Sequence, residues 1–174
     1  MISSEALNKI KAIVLDIDGV LTDGRIGYGG GSNVEIKYFH VRDGHALKLA
    51  MRAGIRVGIL SGRNSATNEI RAKELGLQFC YHGILDKRTG FLQLLEEQNL
   101  LPEECMYIGD DLVDMPPMRM AGFAVAVGDA VPELDDVAHY RTRLTGGQGA
   151  VREAVEILLK GQNKWKSVIE RYYV

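Results

Sequence analysis

The sequence predicts an α/β fold, a parallel β-sheet with helices on both faces. Three observations carry that expectation. Short apolar runs alternate along the chain with segments of helical periodicity. Runs such as "VGIL" (57–60) and "FAVAV" (123–127) are apolar throughout, as strands covered on both sides are. Gly54 and Gly76 stand where helices of this pattern would end.

The elements follow in order. Strands are expected at Ala12–Ile17, Arg56–Leu60, Leu77–Tyr81, Cys105–Ile108, Phe123–Ala126 and near His139–Arg141. Between them the pattern predicts helices over Gly44–Ala53, Ser65–Leu75, Lys87–Gln98 and Val113–Met120. One segment breaks the rhythm. "RIGYGGGSNVEIKYFHV" (25–41) reads as a β-hairpin, with Arg25–Tyr28 and Val34–Val41 flanking the glycine-rich turn "GGGS". Beyond Gly149, "AVREAVEILLKG" has helical spacing and "WKSVIERYYV" ends in aromatics. A tail from about residue 146 is longer than closing a sheet requires.

Size and composition bound the rest. The 174 residues suit a single domain with a proper core, and 46% hydrophobic content is that of a folded chain. A net charge of -2 gives no pull toward nucleic acid or an acidic membrane. No apolar run nears the ~18 residues of a membrane span. "MISSEALNKI" lacks the apolar stretch of a signal peptide. Cys80 and Cys105 sit in short apolar segments and read as reduced core residues, so the expected compartment is the cytoplasm.

The chemistry gathers at the predicted strand ends. "DIDG" brings Asp16 and Asp18, "LSGR" brings Ser61 and Arg63, Lys87 follows the third strand, and "GDDLVD" brings Asp110, Asp111 and Asp114. Ligands of open parallel sheets bind at the carboxyl edge of the strands, so these features converge although they span half the chain. Asp16, Asp110 and a backbone carbonyl make the hard oxygen site that Mg²⁺ prefers. Ser61 and Lys87 can hold phosphate oxygens. A carboxylate nucleophile, a hydroxyl, a lysine and Mg²⁺ together suggest phosphoryl transfer through an aspartyl phosphate.

"DIDGVLTDG", "SGR", Lys87 and "GDDLVD" resemble the four ordered motifs of haloacid dehalogenase (HAD) superfamily phosphatases. The resemblance implies a Rossmannoid three-layer sandwich. It implies Asp16 as nucleophile, Asp18 as acid/base, and Ser61 and Lys87 as phosphate binders. Asp110, Asp16 and the Asp18 carbonyl would hold Mg²⁺. Asp114 would orient Lys87 or a metal-bound water, with Asp111 in support. Only the hairpin and one helix fill the first gap between motifs and one helix fills the second, so the chain looks capless.

"DGVLTDG", "FHVRDGHALKLA", "GDDLVDMPPM" and "GGQGAVREAVEILL" resemble, more narrowly, the 3-deoxy-D-manno-octulosonate 8-phosphate (KDO 8-phosphate) phosphatase family, over about residues 10–159. That likeness implies hydrolysis of KDO 8-phosphate in lipopolysaccharide precursor synthesis. It implies a homotetramer whose hairpins form a central barrel, with a neighbour's surface and tail covering each active site. Arg42, Asp43, Gly44, Arg63 and Arg71 would line the substrate region, and "GGQG" (146–149) would reach a neighbouring subunit. Related phosphatases of nine-carbon ulosonate 9-phosphates tend to carry glutamate where this chain has Arg63.

Blander readings stand beside these. Ser61 or Asp111 can be helix caps, Arg71 can pair with Glu69 or Glu74, and His40 and His45 read as structural. Trp165, Tyr172 and Tyr173 can pack the tail onto a neighbour. A phospho-receiver module uses a similar acidic pair, but its phosphorylated aspartate would end a mid-chain strand, where this chain has Ser61. A non-catalytic oligomerising HAD domain is the remaining alternative.

Overall fold

The computed structural model describes residues 4–29 and 34–174. Six parallel strands form one sheet in the order β5-β4-β1-β6-β7-β8. They are β1 (Ala12–Leu15), β4 (Arg56–Leu60), β5 (Phe79–Tyr81), β6 (Cys105–Gly109), β7 (Phe123–Ala126) and β8 (Tyr140–Arg141). The helices are α1 (Ser4–Lys9), α2 (Val41–Arg52), α3 (Ala66–Leu75), α4 (Lys87–Gln98), α5 (Met115–Met120), α6 (Ala150–Gly161) and α7 (Trp165–Ile169). A separate antiparallel pair, β2 (Gly27–Gly29) and β3 (Val34–Ile36), is the expected hairpin. The middle of its expected turn, residues 30–33, lies outside the described residues.

Strand side chains alternate between two faces, and each face has its own core. Ile13, Leu15, Val57, Ile59, Met106 and Ile108 pack with α2 and α6. Val14, Leu60, Tyr107, Ala124 and Ala126 pack with α4 and α5 through Phe91, Leu94 and Met118. That is a three-layer sandwich. Strand order reverses about β1: the chain lays β4 and β5 on one side, then β6, β7 and β8 on the other. The crevice at the carboxyl end of β1 is therefore the topological switch point of the sheet.

Several expected boundaries move. The helix expected from Gly44 begins three residues earlier, at Val41, with the buried Gly44 in its first turn against the side-chain ends of Arg71 and Leu75. That shortens the second hairpin strand to Val34–Ile36. The Val113–Met120 helix is a 3₁₀ turn (Leu112–Asp114) running into α5, whose first turn accepts Pro116 and Pro117 because their missing N–H groups would be unpaired there anyway. Cys80 is exposed on the edge strand β5, not in the core, while Cys105 is buried, and both are free.

The segment from residue 146 is not a free tail. Val151, Ala154, Val155, Leu158 and Leu159 of α6 are fully buried. "GGQG" lies on its own chain, with Gly147 N donating to Val20 O at 3.0 Å and Gly146 so close to Gly19 that a Cβ would collide with its carbonyl. Trp165 packs over Arg152 and Lys160, and Tyr172 Oη sits 2.9 Å from His45 Nε2. These aromatics meet their own chain, while Tyr173 is exposed.

Asp43 ties α2 to α6. Its fully buried carboxylate accepts from Gly149 N at 3.1 Å and Arg152 N at 2.7 Å, the unpaired donors at the start of α6. We expect Asp43→Ala to destabilise the fold by about 1–3 kcal/mol, the loss of a cap with two buried donors left unpaired. Urea unfolding checks this, and an unchanged midpoint would contradict it.

Candidate active site

The chain turns sharply after β1. Val20, Leu21 and Thr22 all donate backbone N–H to the Ile17 carbonyl, and Gly19 takes a φ of 92°. A Cβ on Gly19 would collide with the Asp110 carboxylate. Glycine therefore lets the loop after β6 approach the loop after β1. A cleft of about 210 Å³ opens there, lined by Asp16, Asp18, Ser61, Arg63, Lys87 and Asp110 with three neighbours. Four separated motifs meet as the topology predicts.

Asp114 organises the centre from below. Its fully buried Oδ1 accepts from Lys87 Nζ at 2.6 Å and Tyr107 Oη at 2.8 Å, and its Oδ2 accepts from Asp110 N at 3.0 Å. Lys87 also reaches Asp16 Oδ2 at 2.8 Å, so it is a buried bridge and not a solvated charge. Asp16 Oδ1 accepts from Ile17 N at 2.7 Å. Ser61 is buried with its hydroxyl 3.3 Å from Arg63 N, while the cap of α3 is Ser65. Asp111 caps the 3₁₀ turn through Leu112 N at 2.7 Å.

The charges do not balance. Asp16, Asp110 and Asp114 can bring one oxygen each within 4.8 Å of one another, against the single ammonium of Lys87. Burial first, then the Asp114 charge, lifts the Asp16 pKa to about 6. Burial, then Asp114 and Asp16, lifts Asp110 to about 8. Lys87 goes the other way: burial opposes its charge, but Asp114 and Asp16 together outweigh that and raise its pKa. Buried Asp110 Oδ1 has no hydrogen-bond partner. Two acidic oxygens short of a cation suit a hard divalent ion such as Mg²⁺.

Asp18 faces a second cluster that sequence reasoning missed. Lys37 Nζ lies 2.6 Å from Asp18 Oδ1 and 3.1 Å from Glu35 Oε1, and donates to Asn68 Oδ1 at 2.9 Å. Arg63 Nε lies 3.7 Å from Asp18 Oδ2, and its guanidinium reaches Glu35 and Tyr28. Burial works to raise the Glu35 pKa, yet Lys37, Ser65 and Arg63 hold it below its ordinary value. A signal existed: in "VEIKY" the charged positions alternate with the apolar ones. Here Glu35 and Lys37 turn inward and Val34, Ile36 and Tyr38 outward.

The other expected substrate residues lie elsewhere. Arg42 lines a separate cavity of about 220 Å³ with His40, Arg143 and Arg152. Asp43 is the α6 cap. Arg71 pairs with Glu74 at 2.9 Å and lies over the Phe39 ring, packed against Gly44. Within one chain, Arg63 is the member of that group that the cleft contains.

Residues 40–122 match the family model of haloacid dehalogenase-like hydrolases. The chain is 44% identical over 155 residues to the 3-deoxy-D-manno-octulosonate 8-phosphate phosphatase KdsC of Escherichia coli strain K12, covering 89% of this chain and 82% of that protein. It superposes with a TM-score of 0.93 on a Moraxella catarrhalis phosphatase of the same name, in complex with magnesium, phosphate and KDO. Identity there is 38%, over 97% of both chains. A cobalt-bound Haemophilus influenzae relative gives 0.87 at 38% identity, over 91% of this chain and 92% of that one. Fold and acidic cleft together define a HAD-like hydrolase. The chain belongs, more narrowly, to the 3-deoxy-D-manno-octulosonate 8-phosphate phosphatase family.

A carboxyl whose pKa is raised holds its proton until pH passes that value, and a proton-bearing oxygen does not ligate metal. Mg²⁺ should therefore stabilise metal-stripped protein more at about pH 8 than at about pH 5.5, where Asp110 holds its proton and Asp16 shares in it. Thermal melts at the two pH values check this. Equal shifts, or a shift that survives Asp110→Asn, would contradict the assignment.

Proposed function

We propose that this chain is a Mg²⁺-dependent phosphatase that converts KDO 8-phosphate to KDO and phosphate through an aspartyl-phosphate intermediate. The observation that carries the reading is the junction of Asp16, Lys87 and Asp110 over buried Asp114 at the switch point of the sheet. Family membership supports the sugar. Asp16, Asp110 and the Asp18 carbonyl would hold Mg²⁺, which supplies positive charge against the repulsion between carboxylate and phosphate.

The chain's residues then divide the work. Lys87 holds the Asp16 carboxylate from one side and Ile17 N from the other, so its approach to phosphorus is restricted. Asp16 bonds to phosphorus as the bond to the sugar oxygen breaks. Asp18 gives that alkoxide its proton. The same carboxylate then takes a proton from water, the hydroxide attacks phosphorus, and Asp16 is released with inorganic phosphate. Ser61 and Lys87 bind phosphate oxygens. Arg63, a planar fork exposed at the mouth, suits the sugar's carboxylate.

The chain acts as one catalytic domain and assembles as a homotetramer in the cytoplasm. Exposed Val34, Ile36 and Tyr38 make the hairpin's outer face apolar, as a contact between copies requires. Arg42 and Arg71, with Asp43 and Gly44 buried behind them as support, then serve the substrate region from near an interface. Two free cysteines suit a reducing compartment, and no helix among the described residues is long and apolar enough to cross a membrane.

Asp16→Asn should lower kcat for KDO 8-phosphate by about 10³-fold or more while thermal stability and tetramer mass by light scattering persist. Turnover at the parental rate would overturn the mechanism. A panel of sugar phosphates ranked by kcat/KM tests the substrate, and preference for a nine-carbon ulosonate 9-phosphate or a neutral sugar would overturn that part alone.

A further inference from the structure

The mechanism above leaves one buried charge unused. The Lys37 side chain is 0% exposed, at the exit of β3, and is absent from the residues lining the cleft. Burying an ammonium is costly unless it is paired, and Glu35 alone would neutralise it. Yet its nitrogen is nearer to Asp18, at 2.6 Å, than to Glu35, at 3.1 Å. Asn68 fixes the third direction at 2.9 Å and is itself fully buried on α3, where Ser65 Oγ accepts its backbone N–H at 3.4 Å. The ammonium is thus held from the hairpin and from α3 at once.

Apart from the Lys37 ion pair, Asp18 has no anchor of this kind. Neither of its carboxylate oxygens has an aligned hydrogen bond, and Arg63 stands off at 3.7 Å. An acid/base on a tight turn needs its carboxyl aimed at the leaving oxygen, and about 1 Å of misplacement costs on the order of 10² in rate.

We propose that Lys37, clamped between Glu35 and Asn68, is a positioning residue that aims the Asp18 carboxyl at the leaving group and so couples the hairpin to the acid–base step. Being shielded from the cleft, it acts through Asp18 and not on substrate. The inference rests on the reading of Asp18 as acid/base given under Proposed function.

The test compares two esters. kcat/KM ends with phosphorylation of Asp16, the step in which Asp18 protonates the leaving group. A sugar alkoxide needs that proton and a nitrophenolate does not. Lys37→Met should lower kcat/KM for KDO 8-phosphate about 10²-fold and that for p-nitrophenyl phosphate by no more than about 3-fold. Lys37→Arg should recover part of the loss. Asp18→Asn, measured alongside, should show the same contrast more strongly. Should Lys37→Met not fold, as judged by circular dichroism, Lys37→Gln and Lys37→Arg are read in its place. Equal losses on the two esters, or none, with the contrast intact in Asp18→Asn, would overturn the role of Lys37. Absence of the contrast in Asp18→Asn would instead overturn the acid/base reading, and this inference with it.

Discussion

The buried contact between Lys87 and Asp114 is the constraint around which the site is arranged. Asp114 has spent both oxygens, on Lys87, on Tyr107 and on the backbone of Asp110. Lys87 shares its one charge with Asp16. The deficit of positive charge therefore falls on Asp16 and Asp110, where burial first and the Asp114 charge second push both carboxyls above their ordinary pKa. In a low-dielectric interior such a deficit is expensive, so the arrangement persists only because six strands and two apolar layers hold it together. Instability of this kind at one point, supported elsewhere, is what a cation site requires before the cation arrives.

The hairpin solves a different problem. It is a two-stranded ribbon, too small to be stable alone. It turns Glu35 and Lys37 inward against Asp18 and Arg63 and leaves Val34, Ile36 and Tyr38 outside. An apolar outer face is a liability for a lone chain and an asset for an assembling one. In the proposed tetramer, packing that outer face would also steady the inner one. The same short strand would then serve assembly and catalysis.

How much of this was legible follows from which forces are local. Strand runs, glycine-terminated helices and the order of "DIDG", "SGR", Lys87 and "GDDLVD" are local, and the topology that unites them follows from a parallel sheet. Long-range pairing is not local. Asp43 lies beside Arg42 in a motif-like run, yet its partners are Gly149 and Arg152, over a hundred residues on. Period-two alternation in "VEIKY" announces a strand but not which side faces in, so Lys37 passed unnoticed. Cys80 looked like core because its neighbours are apolar, and only the place of β5 at the sheet edge exposes it.

Size argues for completing the site from outside the chain. A cleft of about 210 Å³ is below the roughly 300–1,000 Å³ of ordinary small-molecule sites. It suits a phosphate and a cation better than a whole eight-carbon acid sugar. In the proposed tetramer the remaining enclosure would come from another surface, and the hairpin's apolar outer face is where a second copy would dock. Water exclusion matters here for a physical reason. Every charge interaction that lowers the barrier to phosphoryl transfer strengthens as solvent leaves. Assembly would then be part of the catalytic apparatus, with the chain supplying the reactive groups and its neighbours supplying the walls.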